Sequence, residues 1–134
     1  MNYLGLDLGA KTLGLALSKG VIATSLKTIR YENIDNLIEE LEKVIKEYNI
    51  DILVLGLPKN MNNTLGPKAL ETLEFKKKLE QLNYKVELQD ERLSTVSAHN
   101  YMIEADLSRK KRKEKVDALA ATIILQTFLD RKGN

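Results

Sequence analysis

The first nine residues alternate apolar and other side chains with the period of a β-strand. Leu4, Leu6 and Leu8 occupy every second position, and Asp7 lies between two of them. Because side chains point alternately to the two faces of a strand, the leucines share one face and Asp7 belongs to the other. An aspartate is unfavourable in strands and costs free energy when buried without a partner. The pattern predicts a partnered acid: the partner is a cation, or else Asp7 caps the turn after Gly9.

Two further strands and a helix are expected next. Residues 13–17 repeat the alternation after a short polar turn, and residues 21–29 are interpreted as a third strand. Three successive strands favour an antiparallel meander. Asn33 or Asp35 then provides the N-cap of a helix whose apolar side chains recur at helical spacing. They are Ile34, Leu37, Ile38, Leu41, Val44, Ile45 and Tyr48.

The middle of the chain predicts a strand, a loop and a helix. Residues 51–58 form a nearly continuous aliphatic run that Pro58 ends, which is typical of a mid-sheet strand covered on both faces. Residues 59–66 form a polar loop, a candidate for a mobile lid, but they lack the Gly-Lys-Ser/Thr ending of a P-loop. Pro67 suits the first turn of the following helix. The apolar residues of this helix are Ala69, Leu70, Leu73, Leu79 and Leu82.

Residues 84–89 predict another strand, with Val86 and Leu88 on one face. Glu91 has the opposite parity to these two residues, as Asp7 has to its leucines. Both acids would then face the same side of a sheet, unless a bulge reverses the order. The alternative for residues 90–92 is an ion pair within a loop, which contributes little to stability.

Two helices are expected in the last third of the chain. Ser94 or Thr95 caps the first, which runs to about Ala105, and the second runs from about residue 115 to residue 130. Asp117 falls in the first turn of the second helix, where the helix dipole alone favours an acid. The apolar face of this helix comprises Val116, Leu119, Ala120, Ile123, Ile124, Leu125 and Phe128.

The composition limits both the size of the fold and its chemistry. A chain of 134 residues with 43% hydrophobic content suits one domain with one core. It has no cysteine, which excludes disulfides and thiolate metal sites, and its single histidine excludes a multi-histidine zinc site. That histidine, His99, is better explained as a helix-surface or core-edge residue than as a ligand. Any metal must therefore have oxygen ligands.

Targeting and membrane signals are missing from the sequence. The N-terminus lacks the basic segment, apolar run and cleavage site of a secretory signal. The longest apolar stretch, residues 52–57, is too short to span a bilayer. We therefore expect a soluble cytoplasmic protein that makes no membrane contact.

Positive charge is concentrated in residues 109–115. The formal net charge is +2, but this run carries +5, which leaves the rest of the chain at −3. A solvated loop is one explanation, and contact with a phosphate backbone is the other. The basic residues of the run are Arg109, Lys110, Lys111, Arg112, Lys113 and Lys115.

The order of these elements and acids resembles the ribonuclease H-like superfamily. Within it, four segments are similar in order and spacing to the YqgF family, also called RuvX. They are Leu6–Gly14, Gly56–Pro67, Asp90–Thr95 and Lys115–Ala121. The resemblance covers essentially the whole chain and implies one ribonuclease H-like domain, residues 1–134. Its α/β fold would contain a mixed five-stranded sheet, an antiparallel three-strand meander plus parallel strands, flanked by helices.

The resemblance implies a nuclease that hydrolyses phosphodiester bonds at the 5′ end of pre-16S ribosomal RNA during ribosome biogenesis. Holliday-junction resolution is the alternative. The catalytic, metal-binding acids carried over from the family are Asp7, Glu91 and Asp117. Three converging carboxylates need a cation, and Mg²⁺ or Mn²⁺ fits oxygen ligands. Two such ions, bound with substrate, would activate the attacking water and stabilise the leaving oxygen.

The same resemblance implies nucleic acid as the partner. Lys11, Arg92 and the basic run of residues 109–115 would contact phosphates. The expected substrate is pre-16S ribosomal RNA or a ribosomal precursor particle, with branched DNA as the alternative. Monomer and homodimer both remain open.

Two functions from other classes are the alternatives to a nuclease. Residues 7–12 also resemble the phosphate loop of actin and Hsp70-type ATPases, but those proteins enclose nucleotide between two lobes, and 134 residues supply one. The second is a non-catalytic nucleic-acid-binding module. Acids at all three expected positions argue against it.

Overall fold

A computed structural model describes residues 1–58, 65–90 and 109–133, and in the last range it describes side chains from 118 to 132. One sheet contains five strands in the order β3-β2-β1-β4-β5. They are β1 (Tyr3–Leu8), β2 (Thr12–Ser18), β3 (Ala23–Arg30), β4 (Ile52–Leu57) and β5 (Val86–Asp90). The helices within the described ranges are α1 (Ile34–Glu47), α2 (Pro67–Gln81) and α3 (Arg109–Gly133).

The strand pairing confirms the predicted mixed sheet. Strands β1, β2 and β3 form an antiparallel meander, whereas β4 pairs in parallel with β1 on one side and β5 on the other. The third strand begins at Ala23 rather than at Val21, and Val21 and Ile22 are exposed in the preceding turn. The fifth strand begins at Val86 rather than at Tyr84.

The two faces of the sheet pack against different helices. The leucines of β1 belong to a core cluster that includes Leu37 and Leu41 of α1 and Phe75 of α2. Tyr3, from the opposite face of β1, packs in a second cluster with Leu125 of α3. The alternation of β1 therefore separates an α1–α2 face from an α3 face.

Helix α1 begins as predicted, whereas the apolar face of α2 was predicted only in part. The side chain of Asn33 accepts a hydrogen bond from the Asn36 amide at 2.8 Å and caps α1. Leu70 of α2 is 54% exposed and Leu82, the C-cap residue, is 43% exposed, whereas Thr72 is buried. The buried stripe follows positions 69, 72, 75 and 79, and Leu70 lies about 100° around the helix from Ala69. A threonine fits this stripe because its hydroxyl donates to the Lys68 carbonyl at 2.9 Å.

Helix α3 begins earlier than the sequence pattern predicts. It starts at Arg109 instead of near residue 115, so the basic run is helical and not a loop, the first of the two explanations given for it. Arginine and lysine are good helix formers, and neither glycine nor proline interrupts residues 109–132. Asp117 accordingly lies about two turns inside α3. The helix dipole, which acts in the first turn, does not account for an acid there.

Several expectations lie outside the described residues. They concern the lid over residues 59–64, the acid Glu91 with Arg92, and the helix expected after Ser94 with His99. In the ranges that the structure does describe, none of the helices has the length and apolar character needed to cross a membrane.

Helix α3 lies directly on the backbone of the central strand β1. A Cβ atom added to Gly5 would come 2.8 Å from Cβ of Leu125 and 2.9 Å from the carbonyl oxygen of Ala121. Both distances are shorter than ordinary van der Waals contacts, and one partner is helix backbone. The absence of a side chain at residue 5 therefore sets how closely α3 approaches the sheet.

We expect Gly5→Ala to lower the free energy of unfolding by about 1–3 kcal/mol, the usual cost of overpacking a close-packed interior. The methyl group has to displace α3, because a main-chain oxygen cannot rotate away. Urea denaturation followed by circular dichroism would measure the loss. A free energy within about 0.5 kcal/mol of wild type would show that α3 does not approach β1 this closely.

Candidate active site

Asp7 is a buried acid near the carboxyl end of the central strand. It is the fifth residue of β1, and 7% of its surface is exposed. Its neighbours Leu6 and Leu8 pack in the cluster of α1 and α2, so the alternation of the strand places Asp7 on the α3 face. The expected direction of this side chain, away from the leucines, agrees with this arrangement.

Glycines flank Asp7 on both neighbouring strands. Gly14 of β2 lies directly opposite Asp7, and directly opposite residues share a face of the sheet. On the other side, the register that pairs Leu6 with Leu55, continued by one residue, brings Gly56 of β4 level with Asp7. Asp7 is thus bordered by two positions without side chains. We call Gly14 and Gly56 together the glycine floor.

Helix α3 runs antiparallel to β1 across this face. Near its end, the Lys132 ammonium donates a hydrogen bond of 2.6 Å to the Tyr3 hydroxyl at the start of β1. Further back along the helix, Ala121 lies against Gly5. Residue 117 precedes Ala121 by about one helical turn, so the helix backbone brings position 117 towards the Asp7 end of the strand.

The end of β5 is tied to α3 through a buried amide. Gln89 is 4% exposed, pairs with Gly56 of β4, and accepts a hydrogen bond of 2.9 Å from the Arg131 guanidinium. Its amide nitrogen donates to the Asp90 carbonyl at 3.3 Å. Sequence reasoning missed Gln89. The sequence did contain a sign of it, because Gln89 is a polar residue on the strand face opposite to Val86 and Leu88. Its partner Arg131 could not be predicted, because it lies 42 residues away in the sequence.

The turn after β1 places Lys11 at the same edge of the sheet. The Gly9 amide donates to the Thr12 carbonyl at 2.7 Å and closes the turn, and Lys11 is exposed within it. From the β3–α1 connection, the Tyr31 hydroxyl donates to the Gly9 carbonyl at 2.7 Å. Burial is the larger of two causes that raise the pKa of Tyr31, and the negative charge of the Glu71 carboxylate is the second. The hydroxyl therefore keeps its proton and remains a hydrogen-bond donor throughout the neutral range.

The structure thus brings Asp7, Lys11 and backbone position 117 to one edge. Glu91, Arg92, the Asp117 side chain and the side chains of the basic run lie outside what the structure describes. Among the described residues, no group of three histidine, cysteine, aspartate or glutamate side chains is close enough to hold a metal ion. The three-acid ligand set therefore stays a prediction.

Comparison with solved structures defines the class of fold. The complex titled "T. thermophilus RuvC in complex with Holliday junction substrate" superposes with a TM-score of 0.60 at 17% identity, covering 100% of this chain and 97% of that one. A fowlpox virus resolvase, solved with Holliday junction DNA, gives a TM-score of 0.60 at 14% identity over 100% of both chains. The fold is the ribonuclease H-like fold of these resolvases.

Sequence comparison then identifies the family. The profile described as "RuvX: Holliday junction resolvase" matches residues 1–131. A Clostridium botulinum (strain Alaska E43 / Type E3) protein named "Putative pre-16S rRNA nuclease" is 53% identical over 134 residues, with 98% of each chain covered. The chain belongs to the RuvX family. This confirms the predicted family and the predicted enzyme class, a nuclease that hydrolyses phosphodiester bonds.

The pKa of Tyr31 provides a test of the geometry at the site edge. Glu71→Gln should lower that pKa towards its ordinary value near 10, because the substitution removes the carboxylate that opposes ionisation. Burial, the larger cause, should keep it above that value. NMR titration of the labelled tyrosine ring would follow the change, with Glu80→Gln on the same helix as the control.

The raised pKa of Tyr31 also determines how its contribution to protein stability changes with pH. The contribution of Tyr31 to stability is fully present below the pKa of the unfolded state and is lost as the pH rises through the folded-state value. An identical Tyr31 titration in wild type and Glu71→Gln would contradict the placement of Glu71 beside this hydroxyl.

Proposed function

We propose that this chain is a metal-dependent nuclease that processes the 5′ end of pre-16S ribosomal RNA in the cytoplasm. The observation that carries the proposal is the environment of Asp7, a buried carboxylate beside the glycine floor and beneath α3. An acid at the edge of parallel strands, next to positions without side chains, suits a site that takes up charged ligands.

The residues at this edge fit oxygen-coordinated divalent ions. Asp7 would be one ligand, Glu91 would follow at the end of β5, and Asp117 would come from α3. The chain has no cysteine, so a hard cation such as Mg²⁺ or Mn²⁺ matches the donor set. When bound, two such ions would supply an activated water and stabilise the leaving oxygen.

The chain's own residues would position the substrate. Buried in the sheet, Asp7 has a fixed direction, as a ligand group needs. Exposed in the turn after β1, Lys11 would contact a phosphate next to the scissile one. The first residues of α3 extend past the Asp7 end of β1, because residue 109 lies about 12 Å along the helix from residue 117. The basic run would therefore attract the nucleic-acid backbone at the rim of the site.

The proposal of an RNA substrate is supported by the name of the relatives. A second candidate function is supported by the description of the family. Holliday-junction resolution is the activity given in that description. The same acids would serve both substrates, because both reactions are metal-assisted phosphodiester hydrolysis. Parallel assays on a precursor 16S RNA fragment and a four-way DNA junction would decide between the two.

Removal of any one of the three acids should abolish cleavage. We expect Asp7→Asn, Glu91→Gln and Asp117→Asn each to lower kcat by at least about 100-fold in Mg²⁺, because even outer-shell changes at metal sites cost 10- to 100-fold. Each substitution preserves side-chain size, so circular dichroism should show an intact fold. Cleavage of a precursor 16S RNA fragment is the readout.

Asp35→Asn is the matched control for these variants. Asp35 is an exposed acid in the first turn of α1, which lies on the opposite face of the sheet from α3, and its loss should leave kcat unchanged. If Asp7→Asn cleaved the precursor fragment at the wild-type rate, Asp7 would not be a metal ligand.

Neutralising four residues of the basic run should weaken binding without removing the chemistry. We expect lower affinity for RNA, about equally for all sequences, and a flatter salt dependence. Each lost phosphate contact removes roughly 0.7 from the log–log slope on single strands and roughly 0.9 on duplex DNA. Cleavage at saturating substrate should persist. The substituted residues are Lys110, Lys111, Arg112 and Lys113.

The control changes four exposed lysines elsewhere, so that the net charge falls equally. Two of them are on α1, one is on α2 and one is in the turn after β2. They are Lys19, Lys43, Lys46 and Lys77. Filter binding at several salt concentrations would compare the two variants. Equal slopes and affinities for wild type and the basic-run variant would remove this run from substrate binding.

A further inference from the structure

A cavity of about 350 Å³ opens at the same edge of the sheet, on the face opposite to Asp7. It lies between the turn after β1, the β3–α1 connection and helix α2. Leu8 and Phe75 supply apolar surface, and Tyr31 contributes an aromatic ring. Its size and its mixture of apolar and polar lining are those of a small-molecule site.

The cavity is close to the candidate active site. Tyr31 lines it, and the hydroxyl of Tyr31 donates to the carbonyl of Gly9, which follows the last residue of β1. The cavity and Asp7 therefore meet at the same edge of the sheet from its two faces. A nucleic-acid strand that passes over this edge would bring a nucleotide next to a phosphate at Asp7 to the mouth of the cavity.

The charges of the cavity disfavour a phosphate as its occupant. Glu32, Glu71, Glu74 and Lys78 line it, which gives three carboxylates and one ammonium group. An ionised carboxylate accepts hydrogen bonds and donates none. The cavity therefore suits a flat, uncharged group that presents N–H donors, in contrast to the basic run, which suits the phosphate backbone.

We infer that this cavity binds an unpaired nucleobase next to the scissile phosphate, and that guanine is the preferred base. Proteins recognise unpaired RNA bases by aromatic stacking and by hydrogen bonds to the base edges. Guanine presents two adjacent donors, N1–H and the N2 amino group, which the two oxygens of one carboxylate accept together. Adenine and cytosine offer one amino donor beside an acceptor, and uracil offers one N–H between two carbonyls.

Glu71 and Glu74 are the specificity-determining residues in this assignment. Both belong to α2 and line the cavity, and Glu71 is near enough to Tyr31 to raise the pKa of its hydroxyl. A base stacked against the Tyr31 ring would thus have a carboxylate at its edge. The assignment rests on the proposed nuclease function and adds to it a sequence preference at one position.

The first test measures cleavage of RNA fragments that differ in the bases flanking the cleavage site. Guanine at one flanking position should raise kcat/KM by about 5- to 150-fold over the other bases, the range for a bidentate base contact. Inosine, which lacks the N2 amino group, should lose most of this gain. The Glu71→Gln/Glu74→Gln double variant should bring the guanine-to-uracil ratio close to one.

Glu80→Gln is the control for the double variant. Glu80 belongs to the same helix, pairs with Lys76 at 3.0 Å and does not line the cavity. It should keep the full guanine preference. A preference that survives in the double variant, or wild-type cleavage that is indifferent to all flanking bases, would overturn the assignment.

The second test is independent of cleavage. Guanosine 5′-monophosphate, titrated into the wild-type protein, should shift the amide NMR signals of Tyr31 and Glu71, and uridine 5′-monophosphate should not. Shifts without RNA cleavage would support the base site while refuting the proposed function. Cleavage without shifts would refute the base site and leave the proposed function standing, and the absence of both would refute the two together.

Discussion

The close approach of α3 to the backbone of β1 is the constraint on which the candidate site depends. Because residue 5 has no side chain, the helix lies against the strand at Ala121 and Leu125. The Lys132–Tyr3 hydrogen bond fixes the direction of the helix at the other end of the strand. Together these contacts determine which part of α3 meets the carboxyl end of β1, and hence where an acid on α3 can act.

The two faces of the sheet have different roles: one contributes most of the packed core, and the other carries the candidate site. On the α1–α2 face, large leucines from β1, β2 and β4 are fully buried and supply most of the core. On the α3 face, β1 carries Gly5 and Asp7, and the positions beside Asp7 are Gly14 and Gly56. Glycine inside a strand weakens it and leaves nothing to pack. The sheet tolerates this because the opposite face of the same strands is densely packed.

The strands and helices were predicted correctly where interactions between residues close in sequence determine them. The leucine alternation predicted β1 and the face of Asp7, and the two N-cap candidates, Asn33 and Asp35, predicted the start of α1, which Asn33 caps. The predicted start of α3 was wrong, because the apolar pattern marks only the packed part of a helix, and lysine and arginine are good helix formers that continue the helix before it. The exposure of Leu70 was missed because its apolar side chain alone assigned it to the core, whereas the buried stripe of α2 follows residues 69, 72, 75 and 79.

The site was predictable only in outline, because its remaining contacts are non-local. The hydrogen bonds from Arg131 to Gln89 and from Tyr31 to Gly9 join residues that the sequence separates by 42 and 22 positions. Gly14 and Gly56 look like weak points of two strands until the register places them on either side of Asp7. The pairing of the strands, and no single sequence motif, therefore places both glycines beside Asp7.

Paramagnetic broadening by Mn²⁺ in the presence of a bound, non-cleavable RNA tests the central claim most directly. The account predicts that substoichiometric Mn²⁺ broadens the amide signals of Leu6, Leu8, Gly14 and Gly56, and that Asp7→Asn removes this effect while RNA stays bound. Broadening centred on another part of the molecule, or unchanged broadening in Asp7→Asn, would contradict a metal centre at the glycine-flanked end of β1.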